Sequence, residues 1–361
     1  MNKKIIILHD YFLYKGGGER LVISMAKHLN ADIATAFIAK DAFDPRPKIK
    51  GKVFELFKEN LFSKIPGFRY VQVQLSFIFK TGFLKEYDTV IHSGDTLIAW
   101  LRARKQINIA YMHTPPRHLF DCYKERLKEY GIIKKMIFIP FAMFNRPRFR
   151  YLSSKMDKIL TNSINTQKRI KKYLKLDSVV VYPPCDTLPF KDLGDGDYFF
   201  SWARLYEIKR VHMIVEAFQK MPDKKLVVAS GGPELERIKE MAKDYDNIKI
   251  LGWVSDGELI ENLGKSLATI YIPIREDFGM SPVESMMAGK PVIGSQEGGL
   301  LEIIEDEKNG LFLPENFKVE DIRNAVKKMT LEKVLEMKEY CLQTAGKFTE
   351  EEFYKNLDKK V

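Results

Sequence analysis

The sequence predicts two doubly wound α/β domains in tandem, and three observations carry the prediction. Short apolar runs that end in polar residues recur along the chain. Stretches of helical spacing separate these runs, which implies crossover connections and mostly parallel sheets. A segment rich in Pro, Gly and Asp then interrupts the pattern, and the same grammar restarts after it. At 361 residues the chain is also too long for one ordinary core.

Taken in order, KKIIILHD reads as a buried parallel strand, followed by YFLYKGGGER and the helical RLVISMAKHLN. ADIATAFI, DTVIHSG, INIAYMHT, KILTNS and SVVVYPP repeat the strand form. Ligands of such sheets gather at the carboxyl ends of the strands, where Asp10, His92, Ser93, His113 and Asn162 fall. PPCDTLPFKDLGDGD is the expected interdomain linker, and its Asp195-Gly196-Asp197 reads as turn chemistry rather than a metal site. DYFFSWARL, KKLVVASGG, NIKILGWV, LATIYIPI and PVIGSQ are strands of the second domain, with HMIVEAFQKM and ELERIKEMAKDY as helices. The expected boundaries are 1–183 for the first domain, 184–197 for the linker and 198–339 for the second. A C-terminal helix over 340–361 is able to pack back on the first domain.

Composition narrows the class of protein. Cys122, Cys185 and Cys341 lie far apart with no C-x-x-C spacing, which argues against a zinc site and against a secreted disulfide scaffold. That usage suits a reducing cytoplasm. The apolar run at Ile5–Leu8 is too short for a signal peptide, and MIFIPFAMF is far below the roughly 20 residues a bilayer crossing needs. Charge is lopsided: residues 1–190 hold 34 Lys and Arg against 16 Asp and Glu, whereas 191–361 hold 25 against 32. A basic half of this kind suits a polyanion or an anionic membrane surface, and equally an ordinary solvated face.

Four stretches carry chemistry. In REDFGMSPVESMMAGKP, Ser281, Pro282 and Glu284 have the spacing of a capping box, which gives Glu284 a structural explanation. Glu276, at a strand's carboxyl end, has none. In GSQEGGLLEIIE, Gly298-Gly299 precedes a helix expected near Leu300, and Lys15-Gly16-Gly17-Gly18 precedes one at Glu19; free N–H groups there attract phosphate. In SWARLYEIKR, Arg204 and Lys209 form a cationic pair able to offset the charge of a diphosphate leaving group. In YMHTPPRHLF, His113 follows a strand directly. Each feature alone is as well read as local structure.

Together they resemble glycosyltransferase family four, the retaining, nucleotide-sugar-dependent enzymes of GT-B fold. The matching residues are Arg204 and Lys209 in ARLYEIK, Glu276 and Glu284 in EDFGMSPVE, and EGGLLEII with NGLF after it. The front half matches more loosely, through KGGGER and YMHTPPR; the latter is similar to enzymes that build lipid-linked or surface polysaccharides, often from GDP-mannose. The resemblance implies two Rossmann-like domains facing across a cleft. It implies transfer of a hexose, with retention, from a GDP- or UDP-linked sugar to a glycan or polyprenyl-diphosphate-linked acceptor, assisted at the front face by the leaving phosphate.

By the same resemblance, Arg204 and Lys209 hold the donor diphosphate, Glu276 takes the sugar hydroxyls, and the backbone of Phe278, Gly279 and Met280 supports that sugar. Glu284 takes the ribose, Gly17 and Gly18 approach the diphosphate, and His113 lies near the anomeric carbon. Gly298 and Gly299 join the donor-binding set. No metal and no cofactor are expected. One departure stands out: the motif usually continues into Gly after the Lys, and here Arg210 follows. The basic segment KERLKEYGIIKKMIFIPFAMFNRPRFRYL suits contact with an anionic membrane at its cytoplasmic face, and equally a core-packing helix with solvated lysines. Two other classes compete with this reading: a nucleotide-sugar epimerase of the same fold, and a basic nucleic-acid-binding protein, which no helix-turn-helix or zinc module supports. Nucleic acid is accordingly not an expected partner.

Overall fold

The computed structural model describes residues 3–13, 16–194 and 196–361. It divides into two compact units, Met1–Tyr182 with Tyr354–Val361, and Pro183–Phe353.

The first unit holds a seven-stranded, all-parallel sheet: β1 (Ile5–His9), β2 (Asp32–Thr35), β3 (Val53–Glu55), β4 (Thr89–Ser93), β5 (Ile107–Met112), β6 (Lys158–Thr161) and β7 (Val179–Val180). Their order across the sheet is β3-β2-β1-β4-β5-β6-β7. Its helices are α1 (Gly17–Leu29), α2 (Leu61–Lys64), α3 (Pro66–Phe79), α4 (Tyr123–Glu129), α5 (Ile132–Ser153) and α6 (Ile164–Leu174). The central strands are buried on both faces, as parallel sheets require, so Ile6, Ile7, Leu8, Val90 and Ile91 are closed to water. Strand order reverses between β1 and β4, whose residues pair from Ile5↔Thr89 to His9↔Ser93.

The second unit repeats the plan in six parallel strands: β8 (Tyr198–Ser201), β9 (Lys225–Ala229), β10 (Ile248–Gly252), β11 (Ala268–Tyr271), β12 (Val292–Ser295) and β13 (Gly310–Leu313). Their order is β10-β9-β8-β11-β12-β13, so the reversal falls between β8 and β11. Helices α7 (Val211–Gln219), α8 (Leu235–Ala242), α9 (Asp256–Gly264), α10 (Met280–Met287), α11 (Val319–Lys328), α12 (Leu331–Ala345) and α13 (Glu350–Asp358) complete the list of α-helices among the described residues.

Three local expectations are corrected. Residues 184–197 are not a free linker: Leu193 N donates to Gly264 O at 2.9 Å, Gly196 N donates to Lys265 O at 2.9 Å, and the buried Lys290 ammonium bonds Asp192 at 2.8 Å. Asp195 lies outside the described residues, as does Lys15 of the glycine turn. The C-terminal 340–361 is not one helix: α12 ends at Ala345, and only Tyr354–Val361 counts with the first unit. There the Tyr354 ring stacks on His28 at 4.1 Å, and its hydroxyl meets Ser24 Oγ at 2.9 Å. The third correction concerns Glu284 and belongs with the site.

Candidate functional site

In each unit the polar residues collect where the strand order reverses, which is where open α/β sheets bind ligands.

In the second unit, β8 leads through Trp202 to Arg204, a short 3-10 turn spans Glu207–Lys209, and α7 follows. β11 ends at Tyr271, and the chain then turns through Arg275, at φ +53°, into Glu276. Lys209 Nζ donates to Glu276 Oε2 at 2.5 Å and to Tyr271 OH at 2.9 Å; Tyr271 OH in turn donates to Glu276 Oε2 at 2.8 Å. The three groups form a closed, mostly buried triangle. Burial pushes the Glu276 carboxyl up, but the Lys209 ammonium and the two hydrogen bonds outweigh it and hold it below the usual carboxylate range. Burial pulls Lys209 down, and Tyr271 and Glu276 more than reverse that. Burial and the Glu276 charge together push the Tyr271 phenol up. The site therefore presents an ionised carboxylate beside a cation, fixed before any ligand arrives.

The departure at Arg210 acquires a physical reason. Arg210 is the residue before α7 and sits at φ +55°, in the left-handed region that glycine favours. Its guanidinium compensates by donating to Ile272 O at 2.7 Å, Pro273 O at 2.8 Å and Glu297 Oε1 at 2.7 Å. Those carbonyls lead into Glu276, and Glu297 Oε2 accepts from Arg275 N at 3.0 Å. Arg210 thus ties the Arg204–Lys209 turn to the segment that presents Glu276.

Glu284 has no capping role, contrary to the box expected at Ser281-Pro282-Val283-Glu284. Helix α10 starts two residues earlier than the box implies, at Met280 instead of Pro282, after Gly279 at φ +106°, and no N-cap side chain caps it. A Cβ on Gly279 would stand 2.8 Å from Leu300 Cδ2, so both backbone conformation and packing select glycine. Phe278 is buried and meets the Phe348 ring edge-on at 5.3 Å, which anchors the turn and moves the helix start. Glu284 Oε2 instead accepts from Trp202 Nε1 at 3.3 Å. Its local structural explanation is gone, and it is joined to the β8 end of the site.

The helix expected near Leu300 is a five-residue 3-10 turn, Gly298–Glu302. A Cβ on Gly298 would lie 2.3 Å from Glu276 O, and one on Gly299 2.4 Å from Phe278 Cα. Gly299 N donates to Glu276 O at 3.0 Å. The close approach these glycines make is therefore to the backbone of Glu276–Phe278, which they hold in place.

In the first unit, α1 starts at Gly17 after Gly16, and a Cβ on Gly18 would come 3.9 Å from His113 Cε1. His113 Nε2 meets Ser93 Oγ at 3.2 Å, and Ser93 Oγ meets His9 Nδ1 at 3.3 Å. Burial pulls both imidazoles down to about 4, the two rings disfavouring each other's charge in His113. Asp10 Oδ2 accepts from Asp95 N at 3.3 Å across Gly94, where any Cβ would strike the Asp10 carboxyl at 2.6 Å. Burial raises Asp10 and Asp95 to about 6 each. His92 faces elsewhere, bonded to Asn108 Oδ1 at 3.0 Å and Thr96 O at 3.3 Å, and Asn162 meets Ser163 Oγ at 3.2 Å; both are buried supports.

Sequence reasoning missed Trp202, Tyr271, Ser93's link to His9, and the Arg210–Glu297 pair. The placement of Tyr271 at the last position of LATIY was the available signal, because strand ends at the reversal point into the crevice. Among the described residues, no group of three or more His, Cys, Asp or Glu is placed to hold a metal ion.

Comparison with known proteins agrees with this geometry. Residues 190–348 match the family model of glycosyl transferases group 1. The chain is 26% identical to the alpha-1,3/1,6-mannosyltransferase ALG2 of Dictyostelium discoideum, over 90% of this chain and 89% of that protein. The ALG2 of Schizosaccharomyces pombe is 24% identical over 88% and 72% respectively. Among solved structures, Anabaena HepE in complex with UDP and glucose matches with a TM-score of 0.74 at 18% identity, covering 99% of this chain and 98% of that one. Sucrose-phosphate synthase from Thermosynechococcus elongatus matches with a TM-score of 0.73 at 14% identity, over 99% and 98%. With two Rossmann-like parallel-sheet units the chain has the GT-B fold of these structures; its second unit matches glycosyl transferases group 1, and over most of its length the chain is similar to alpha-1,3/1,6-mannosyltransferases.

Proposed function

We propose that the protein is a retaining, metal-independent hexosyltransferase that moves a sugar, mannose from GDP-mannose first among candidates, to a glycan or lipid-linked saccharide acceptor. The observation that carries this reading is the Lys209–Tyr271–Glu276 triangle at the β8/β11 reversal. A buried ionised carboxylate fixed beside a cation suits a sugar diphosphate, whose hydroxyls donate and whose phosphates carry negative charge.

In this reading Arg204 and Lys209 take the diphosphate and stabilise its departure. Glu276 accepts from sugar hydroxyls, with the backbone of Phe278, Gly279 and Met280 beside it. Glu284, oriented by Trp202, takes the ribose, and Gly298 and Gly299 act by holding the Glu276 segment. For the first unit the reading gives Gly17 and Gly18 the diphosphate and His113 the reacting sugar. His113 kept neutral by burial is suited to hydrogen bonding rather than to charge stabilisation. The chain's similarity to alpha-1,3/1,6-mannosyltransferases supports mannose as the sugar. The place of action is then the cytoplasmic face of a membrane.

Calorimetric titration of GDP-mannose, UDP-glucose and UDP-N-acetylglucosamine into wild type and Glu284→Ala tests the reading. Binding of one donor to wild type, at least tenfold weakened in a folded Glu284→Ala, supports it. No binding by any nucleotide sugar overturns it. Anomeric proton NMR of the product, with and without chelator, reads retention and metal independence.

A further inference from the structure

Three adjacent strands of the first unit deliver one row of polar side chains at the carboxyl edge of its sheet. β1 and β4 pair with His9 opposite Ser93, and β5 sets Tyr111 opposite Ser93, two residues before His113. His9 Nδ1 meets Ser93 Oγ at 3.3 Å, and Ser93 Oγ meets His113 Nε2 at 3.2 Å. Beyond the His9 end of the row, Asp10 Oδ1 stands 3.7 Å from His9 Nε2. Two backbone N–H groups, of Tyr11 at 2.9 Å and Asp95 at 3.3 Å, hold that carboxyl group in place. Ser93 is closed to water and His9 nearly so, which leaves the row to satisfy itself. His113 Nδ1 makes no hydrogen bond among the described residues, and it is the ring nitrogen left for a ligand.

A neutral imidazole carries one proton, and the bond made by one nitrogen decides the role of the other. Two arrangements of protons satisfy the row. In the first, His9 Nδ1 donates to Ser93, its Nε2 turns a lone pair on the Asp10 carboxylate, and His113 Nε2 accepts. In the second, His9 Nε2 carries the proton and its N–H faces the carboxylate. Ser93 O–H then donates to His9 Nδ1, and Ser93 Oγ accepts from His113 Nε2–H. At 3.7 Å the carboxylate is too far for a hydrogen bond, but in a buried row its charge favours the second arrangement, because the first sets a lone pair against it. We propose that Asp10, His9 and Ser93 are positioning residues that fix His113 as its Nε2–H tautomer, so that Nδ1 presents a lone pair and accepts a hydrogen bond from a substrate hydroxyl. The row thereby sets polarity as well as place: a hydroxyl is taken at Nδ1, and an oxygen with lone pairs alone is refused. The inference rests on the transferase reading only for the owner of that hydroxyl, the sugar being transferred.

The test is long-range proton–nitrogen NMR of the full chain carrying 15N-labelled histidine, at pH 7.5, above the value of about 6 to which burial raises Asp10. His113 is assigned by the signals lost in His113→Asn. The expected wild-type spectrum shows a protonated Nε2 and a bare Nδ1. His9→Phe keeps a ring but removes the acceptor, so Ser93 O–H turns to His113 Nε2 and the tautomer reverses to Nδ1–H. His9→Asn places an amide oxygen near the position of Nδ1 and is expected to keep the wild-type form. Ser93→Ala only shortens a side chain and is expected to give a mixture of both tautomers, which serves if His9→Phe does not fold. In turnover, His9→Phe is expected to lower kcat/KM about tenfold with the affinity for the nucleoside diphosphate unchanged, and His9→Asn to recover most of that loss. Nδ1–H in wild type overturns the proposal, and so does an Nε2–H form that His9→Phe or Ser93→Ala leaves pure. The tautomer is read without substrate, so a wild type that binds no nucleotide sugar defeats the transferase reading alone.

Discussion

Lys209 and Glu276 meet at 2.5 Å from opposite sides of the point where the strand order of the second unit reverses, with Tyr271 OH closing the triangle. Both side chains are mostly buried, so each is the other's substitute for water. Lys209→Met strands the Glu276 carboxylate and is expected to cost roughly 3 kcal/mol of stability. Lys209→Met with Glu276→Leu is expected to lose less than Lys209→Met alone, in urea unfolding. Glu276→Gln keeps the shape and is expected to lower kcat about a hundredfold.

Trp202→Phe removes one donor, the indole N–H to Glu284 Oε2. The expected effect is a donor affinity weaker by about 1 kcal/mol, with a smaller change in melting temperature. A titration showing equal donor affinity in Trp202→Phe and wild type would separate Trp202 from the ribose position.

Arg210→Gly relieves a left-handed backbone but gives up three hydrogen bonds to Ile272, Pro273 and Glu297. The gain is about 1 kcal/mol and each of the three charged bonds contributes about as much or more, so the variant is expected to be less stable by about 2 kcal/mol or more. Arg210→Lys keeps the strain and lacks the planar fork, so it is expected to be no better. Chemical denaturation of both variants decides the order.

Gly299→Ala places a methyl 2.4 Å from the Phe278 backbone. Something must shift, and the Glu276–Phe278 segment lies directly against it. We expect kcat/KM to fall at least about tenfold while the circular dichroism spectrum is kept, because misplacing a binding group by a fraction of an ångström suffices.

His113 supplies a pH test. Its folded pKa, about 4, lies below the ordinary value of 6.5, so the unfolded chain binds the extra proton first. Its neutral, buried state contributes stability that is complete above pH 6.5 and is lost as pH falls toward 4. Asp10 and Asp95, raised to about 6, act with the opposite sign: their contribution is present below about pH 4 and lost as pH rises through 6. His9, also lowered to about 4, acts with the same sign as His113, so the two His and the two Asp oppose each other over this range and a difference measurement is needed. The stability gap between wild type and His113→Asn is expected to narrow on going from pH 7.5 to pH 5, read by urea unfolding at each pH.

Most of the sheet framework was legible because parallel strands buried on both faces must be apolar runs, as at Ile5–His9 and Ala268–Tyr271. β3 was not, since its three residues are only half-buried and carry little pattern. The places of Lys209 and Glu276 after strands were legible, but not their pairing with each other, because residues far apart in sequence meet only once the sheet is ordered. The Ser281–Glu284 box misled because local spacing says nothing of the buried Phe278, which with Gly279 precedes a helix that starts two residues early. What Gly298 and Gly299 lie against was not legible either: a glycine pair signals close approach but does not name the Glu276–Phe278 backbone as what approaches. The exposure of Phe62, Phe68 and Phe79 on α2 and α3 was illegible, because an apolar helical face reads the same whether a core or water covers it.

The stacking of Tyr354 on His28 also has a consequence for the order of synthesis. The first unit needs Tyr354–Val361, yet the whole second unit is translated between Tyr182 and that piece. At ribosomal rates the first sheet waits roughly 10–30 s for its last contacts. During that interval the Ser24 and His28 side of α1 is uncovered, and the second unit has time to fold on its own. A chain truncated before Tyr354 then keeps all the residues of the second unit and leaves one flank of the first open.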